Sequence, residues 1–195
     1  MKKLLMGLAA LASASGGAAQ TAYVFLAPGF EEIEVVNTVD VLRRADIPVV
    51  EVSMDAGKAV KGATGQTIVA DVLFTEINPV ADDWLIIPGG MPGASNLQAD
   101  MKLGDMLKAH NAAGGKIASI CAGPAVVLGP LGLLRGHNAT CYPSLRESLA
   151  QSGGIYQNQP VVVDGTLITS QGPGTAIPFA LAIVAARRGR LSPTP

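Results

Sequence analysis

The sequence predicts an α/β fold: a mostly parallel sheet with helices on both faces and a small antiparallel hairpin. Three observations carry this expectation. Continuous apolar runs at residues 21–27, 84–88 and 116–120 read as strands buried on both faces. Segments of helical periodicity lie between them, as parallel crossovers require. Turn formers are plentiful, with 23 Gly and 13 Pro, whereas aromatic residues make up only 4%, which suits short tight loops between packed elements.

The elements follow in order. Residues 21–27 form the first strand, and Pro28 and Gly29 turn the chain. Residues 31–45 are expected to be helical. Val35, Val39 and Leu42 make one apolar stripe, with acids at the start and Arg43 and Arg44 at the end, in accord with the helix dipole. Residues 47–54 form a second strand, and residues 59–70 a hairpin or irregular excursion around Gly62 and Gly65. The strand at 84–88 ends in Gly89 and Gly90. A helix at 101–112 precedes the strand at 116–120, which feeds Cys121. Residues 125–134 are expected to be helical with an interruption near Gly129 and Pro130, then a short strand at 138–142 and a short helix at 143–151. Residues 160–163 and 166–170, split by Asp164 and Gly165, read as a hairpin. A final apolar helix covers 175–188. No internal repeat interrupts this single domain, residues 20–195.

The first 19 residues are set apart from the domain. Lys2 and Lys3 precede an apolar stretch at 4–12, and small residues continue to Ala19. This pattern predicts a secretory signal peptide and hence a periplasmic or secreted protein, the alternative being a cytoplasmic one. The apolar stretch is too short to span a bilayer, and no membrane span is expected in the mature chain. The net charge is −1 and no basic stripe is present, so nucleic acid is not an expected partner. Two cysteines and two histidines, none in a ligand-like cluster, give no expected metal site and no disulfide framework.

Cys121 is the most informative residue. An apolar strand stops at it, and Ala122, Gly123 and Pro124 lead into the next helical run. A thiol at such a turn is pushed out of the sheet and faces unpaired backbone N–H groups, which favour a thiolate. The plainer alternative is a small buried residue filling a tight joint. An ordinary thiol is only about 3% ionised at pH 7. Full ionisation needs a drop of roughly three units, about 4 kcal/mol, of which a helix N-terminus provides around 1 kcal/mol. Another donor is therefore needed. Strand ends share one crevice in such sheets, which brings Glu31, Glu34, Gly89, Gly90 and Cys121 together. Glu34 is the candidate partner: a buried carboxyl would stay protonated and donate to the sulfur. A solvated first-turn acid is the alternative. Gly90 and Ala122 N–H groups could form an oxyanion hole, unless the glycines serve only the turn. Gly172 and Pro173, at the start of the last helix, could wall the same pocket. His137 is expected to face solvent.

Four stretches together resemble the ThiJ/PfpI superfamily, and within it the Parkinson-disease protein deglycase branch and its bacterial relatives. They are Tyr-Val-Phe-Leu-Ala-Pro-Gly-Phe-Glu-Glu-Ile-Glu at 23–34, Ile-Ile-Pro-Gly-Gly at 86–90, Ser-Ile-Cys-Ala-Gly-Pro at 119–124 and Thr-Ser-Gln-Gly-Pro-Gly-Thr at 169–175. The resemblance implies a flavodoxin-like sandwich, a homodimer and no cofactor. It implies that Cys121 is the nucleophilic, oxidation-sensitive cysteine, Glu34 its protonated partner, and Gly90 and Ala122 the backbone donors. The activities it implies are a glyoxalase acting on methylglyoxal, a deglycase acting on glycated groups, a chaperone and an oxidative-stress sensor. The pattern departs from the branch at Tyr142, where a His is common and where a phenol is a poor base at neutral pH. It departs again near Thr64, where some relatives carry an anion-binding Arg. Ala122, directly after Cys121, excludes the protease-like pattern, which places His there. A glutamine amidotransferase or peptidase would need a Cys–His pair that His110 and His137 are poorly placed to supply.

Two functions are therefore expected from the sequence. The first is a cofactor-free, cysteine-dependent glyoxalase or deglycase, with Cys121 and Glu34 catalytic and Gly90, Ala122, Glu31, Tyr142, Gly172 and Pro173 around the substrate. The second is a redox sensor or chaperone-like protein that uses oxidation of Cys121.

Overall fold

A computed structural model describes residues 20–187. The expected signal segment, residues 1–19, and the last residue of the expected final helix lie outside the described residues. In chain order the elements are β1 (Ala22–Leu26), α1 (Glu32–Arg44), β2 (Val49–Ser53), β3 (Ala59–Lys61), β4 (Thr67–Val69), β5 (Val72–Leu73), β6 (Trp84–Ile87), α2 (Gly93–Ala99) and α3 (Met101–Ala112). Then come β7 (Lys116–Ile120), β8 (Asn138–Ala139), α4 (Arg146–Gln151), β9 (Ile155–Tyr156), β10 (Val161–Asp164), β11 (Leu167–Ser170) and α5 (Ala176–Arg187).

A seven-stranded sheet runs in the order β10-β11-β7-β6-β1-β2-β5. Its pairings are parallel except at the edge, where β10 runs antiparallel to β11. The central strands β1, β6 and β7 are apolar and almost wholly buried. The helices fall into two groups: α1 packs on α5, whereas α2 packs on α3 and on the turn at Pro124–Leu128, which α4 also touches. A sheet covered on both faces needs such a division, and it explains why the strands are apolar at successive positions instead of alternating. Trp84, Phe25, Phe30 and Phe179 are the largest fully buried side chains. The expected hairpin at 59–70 is present as β3 and β4.

Helix α1 ends in a Schellman motif. Ile47 N–H donates to Leu42 O and Asp46 N–H to Arg43 O, both at 3.1 Å, with Asp46 at φ 57°. Aspartate tolerates this left-handed conformation better than most residues. Ile47 and Leu42, at the two positions where an apolar contact accompanies this motif, are both buried.

Several expectations need correction. The run 125–134 is helical only as far as Leu128, in a π-type turn at Pro124–Leu128, and is broken at Gly129 and Pro130 as expected, but no helix resumes beyond them. Gly129 N–H reaches back five residues to Pro124 O, and Leu133 N–H to Leu128 O, so the backbone makes one widened turn and then irregular turns. Gly132, at φ 75°, and Pro130 prevent anything longer. The strand expected at 138–142 is confined to β8, and the helix expected at 143–151 divides into a tight turn at Pro143–Leu145 followed by α4. Helix α2 is not among the elements expected from the sequence; it starts at Pro92 and Gly93, residue types that ordinarily mark loops. The two-residue strands β5 and β9 are too short to leave a periodic signal.

Leu85 is fully buried in β6, between β1 and β7. Leu85→Ala is expected to lower the unfolding free energy by about 3 kcal/mol, measured as a shift in the urea midpoint at constant slope.

Candidate active site

Strand order decides where the site lies. From β1 the sheet grows outward in one direction through β2 and in the other through β6, β7 and β11. The crevice between such halves opens at the carboxyl ends of the strands. The segments that follow β1, β6, β7 and β11 carry Glu31 and Glu34, Gly89 and Gly90, Cys121 and Ala122, and Gly172 and Pro173 respectively.

Cys121 sits at φ 62°, in the left-handed region that non-glycine residues rarely adopt. This conformation costs on the order of 1–3 kcal/mol. Backbone bonds hold it there: Cys121 N–H donates to Ser170 O at 2.9 Å, and Tyr142 N–H donates to Cys121 O at 2.8 Å. Cys121 is thereby tied to the end of β11 and to the segment after β8, and it is only 9% exposed.

Gly89 and Gly90 are required for two different reasons. A Cβ on Gly89 would lie 2.9 Å from Cys121 Sγ and 2.9 Å from Ala122 N, so only hydrogen leaves room for the sulfur. Gly90 has φ 87°, and a side chain there would strike the backbone of Gly29 and Phe30. This turn directs the N–H of Gly90 at the sulfur, which the N–H of Ala122 also faces.

Glu34 lies under the sulfur, 1% exposed. Gly89 N–H donates to its Oε2 at 2.8 Å. Its Oε1 has no hydrogen bond of ordinary geometry, and the carboxyl as a whole interacts with the Cys121 thiol. Of the two sequence readings for Glu34, the solvated one is thus excluded. Loss of hydration raises the Glu34 carboxyl to about 7, against the lowering effect of Cys121 and Gly89, and the negative charge of Glu31 adds to the rise. The expectation of a readily ionised thiol needs correction. Burial first, then the Glu34 carboxylate, push Cys121 up to about 12, whereas the Gly90 and Ala122 N–H groups pull it down. Desolvation outweighs the two N–H donors. The carboxyl and thiol titrate as a pair. A thiolate is least disfavoured in the microstate in which Glu34 holds the proton, because the repulsive carboxylate then becomes a hydrogen-bond donor.

An open pocket of about 390 Å³ lies above the sulfur. Glu31, Gly90, Cys121, Ala122, Tyr142 and Pro173 line it, and Gly172 stands beside it, where a Cβ would be 3.9 Å from Cys121 Sγ. The structure therefore brings every sequence-selected site residue to one place, with Glu34 behind the sulfur instead of in the pocket wall. Met91, Val126, Ser144 and Leu145 also line it and were not anticipated. Met91 follows the glycine turn directly; Val126 reaches the pocket from the widened turn at Pro124–Leu128, and Ser144 and Leu145 from the tight turn at Pro143–Leu145. Thr64 is not in the pocket: its N–H and hydroxyl each donate to Glu32 Oε1 at 2.8 Å. His110 is buried against the Asp83 and Lys116 carbonyls, and His137 is half exposed beside Asp164. Both cysteines are free thiols. Among the described residues, no group of three or more His, Cys, Asp and Glu is arranged to hold a metal ion.

The DJ-1/PfpI family description matches residues 20–186. The chain belongs to the DJ-1/PfpI family. This is the superfamily that the four sequence stretches resemble. Among its relatives, the Drosophila melanogaster protein dj-1beta is 39% identical over 88% of this chain and 91% of its own. A Caenorhabditis elegans protein named glutathione-independent glyoxalase is also 39% identical, over 88% of this chain and 91% of its own. The crystal structure of Drosophila melanogaster DJ-1beta superposes with a TM-score of 0.81 at 38% identity, covering 86% of this chain and 90% of that one. Oxidized Toxoplasma gondii DJ-1 gives a TM-score of 0.82 at 37% identity, covering 88% and 92%. These solved structures share the mostly parallel α/β fold described above.

The raised Glu34 pKa has a stability consequence. A carboxyl raised from 4.5 to about 7 on folding favours the folded state fully below pH 4.5. That contribution is lost as pH rises from 4.5 to about 7, a change of about 3 kcal/mol. In urea titrations from pH 4.5 to 8, the wild type should lose about this much stability relative to Glu34→Gln, whose side chain does not titrate.

Proposed function

We propose that the protein is a cofactor-free glyoxalase or deglycase that uses Cys121 as nucleophile on methylglyoxal or glycated groups. The observation that carries this reading is the buried carboxyl of Glu34 behind a sulfur that faces two backbone N–H groups and an open pocket. Transfer of the thiol proton to Glu34 releases a thiolate. The sulfur attacks the aldehyde carbon, a C–S bond forms, and the carbonyl π pair moves to oxygen, where the Gly90 and Ala122 N–H groups receive it. Glu34 returns the thiol proton to that oxygen, leaving a hemithioacetal and a free carboxylate. The carboxylate then takes the proton from the former aldehyde carbon and delivers it to the neighbouring ketone carbon, while the hydroxyl proton passes to the ketone oxygen. The aldehyde carbon is oxidised and the ketone carbon reduced within one molecule, so no external oxidant or reductant is needed. Water then cleaves the thioester and releases lactate and the thiol. Tyr142, at the pocket wall, can donate to the second carbonyl.

The relative named glutathione-independent glyoxalase supports the same reaction class. A second reading, an oxidative-stress sensor with chaperone-like action, draws on the same geometry. The N–H groups that hold an oxyanion would also hold a sulfinate oxygen on Cys121, with protonated Glu34 donating to the other. We also propose a homodimer, joined through the exposed apolar residues Ile33 and Val36 of α1, to be tested by sedimentation. Export through the N-terminal segment is likewise a proposal, tested by the N-terminal mass of the protein from the expressing cell.

Purified protein is expected to convert methylglyoxal to lactate without glutathione or added metal, with Cys121→Ser abolishing turnover. Glu34→Gln should reduce kcat by about 100-fold or more; equal turnover in Cys121→Ser would overturn the enzymatic reading. After mild peroxide, mass spectrometry should place added oxygen on Cys121 and leave the fully buried Cys141 unmodified.

A further inference from the structure

The pocket above Cys121 has a chemical bias that the reaction alone does not require. Around Cys121 and the backbone donors, its wall is mostly apolar (Met91, Val126, Leu145, Pro173 and the ring of Tyr142), with one hydroxyl, Ser144, and one charged side chain, Glu31. No Lys, Arg or His is among the described residues that line it. Met91 and Tyr142 are 58% and 47% exposed, so they form an apolar rim that a bound molecule would cover. At about 390 Å³ the pocket falls in the range that takes drug-sized ligands, and methylglyoxal would leave most of it empty.

Glu31 is held so that its charge is not used elsewhere. It occupies the N-cap position of α1, yet its side chain makes no capping hydrogen bond. Its backbone does the anchoring instead: Glu31 N–H donates to Gly89 O at 3.1 Å, and Val35 N–H donates to Glu31 O at 3.2 Å. Glu32, the next residue, is turned away and accepts three bonds from Thr64 and Gln66. Glu31 alone of the three acids in this segment lines the pocket, and its field extends to Glu34 beneath. An anionic reactant approaching the sulfur therefore meets one carboxylate at the wall and a second acid below it, with no countercharge.

We infer that the site selects neutral aldehydes carrying an apolar or aromatic tail and rejects carboxylate-bearing ones, with Glu31 as the residue that imposes the rejection. This inference rests on the proposed reactivity of Cys121, but the selectivity belongs to the pocket and can be read without turnover. The tail lies along Met91, Val126 and Leu145, and the aldehyde carbon sits at the sulfur. Glyoxylate and other 2-oxo acids are excluded by charge, whereas phenylglyoxal is admitted.

The test is Cys121 alkylation, followed by peptide mass spectrometry, with three reagents that share one reacting group: neutral iodoacetamide, anionic iodoacetate and aromatic 2-iodo-N-phenylacetamide. Rates are normalised to those of a neutral free thiol, N-acetylcysteine amide. Cys121 is expected to react about tenfold more slowly with iodoacetate than with iodoacetamide, and several-fold faster with the phenyl reagent. Glu31→Gln should bring the iodoacetate ratio to within about twofold of the free thiol. Equal normalised rates for iodoacetate and iodoacetamide, an unchanged ratio in a folded Glu31→Gln variant, or no reaction with any reagent would overturn the inference. The wild-type ratios decide the case if that variant does not fold. Steady-state kcat/KM should then rank phenylglyoxal above methylglyoxal and glyoxylate last. The alkylation pattern without turnover of any of these aldehydes would remove the glyoxalase reading and leave the selectivity standing.

Discussion

The burial of one carboxyl against one thiol organises this site. Glu34 is 1% exposed and is satisfied on one oxygen only, by Gly89 N–H. A charged carboxylate so placed is costly, which is why its pKa rises, and a thiolate beside it would be costlier still. A single negative charge shared by the two groups resolves the conflict. In the proposed chemistry, the proton that completes Glu34 is the proton that Cys121 must lose, so acid and nucleophile are made competent by the same transfer. A more exposed acid would ionise at ordinary pH and repel the thiolate.

Placement of that pair follows from backbone constraints more than from side-chain packing. Cys121 is held in a strained conformation by bonds to Ser170 and Tyr142, each on a different segment. Gly89 makes room for the sulfur, and Gly90 takes the positive φ that turns its N–H toward it. The loop after β11 is fixed in turn by Thr175, whose hydroxyl accepts from Gly172 N–H at 3.0 Å and bonds with Ser170 Oγ at 2.7 Å. The site is therefore as rigid as the sheet ends that carry it, which is what preorganised stabilisation of a developing charge requires.

Much of this was legible in the sequence because buried parallel strands leave strong signals. The runs that became β1, β6 and β7 were plain, and with the strand-end rule they sufficed to bring Glu34, Gly90 and Cys121 together. The sequence was less informative where the backbone departs from regular periods. The widened turn at Pro124–Leu128 carries apolar residues at helical spacing, and only its hydrogen bonds reveal it. Helix α2 begins at a proline and a glycine that ordinarily mark loops. The state of the thiol was misjudged for a different reason: residue types identify the donors that favour a thiolate, but the opposing desolvation depends on depth, which no local pattern encodes.

The two proposed functions meet at one location in space. A hemithioacetal oxyanion and a sulfinate oxygen each place negative charge one bond from Cys121 Sγ, where the Gly90 and Ala122 N–H groups point. Neither product can form while the other occupies the sulfur. Under this chemistry, enzyme and sensor are not separate devices but competing fates of one thiolate, decided by which electrophile arrives first. The pocket then acts on both fates. Its apolar rim concentrates neutral aldehydes, whereas a small uncharged oxidant gains nothing from it. Substrate that fills the space above the sulfur would therefore protect Cys121 from oxidation, and an empty pocket would leave it open.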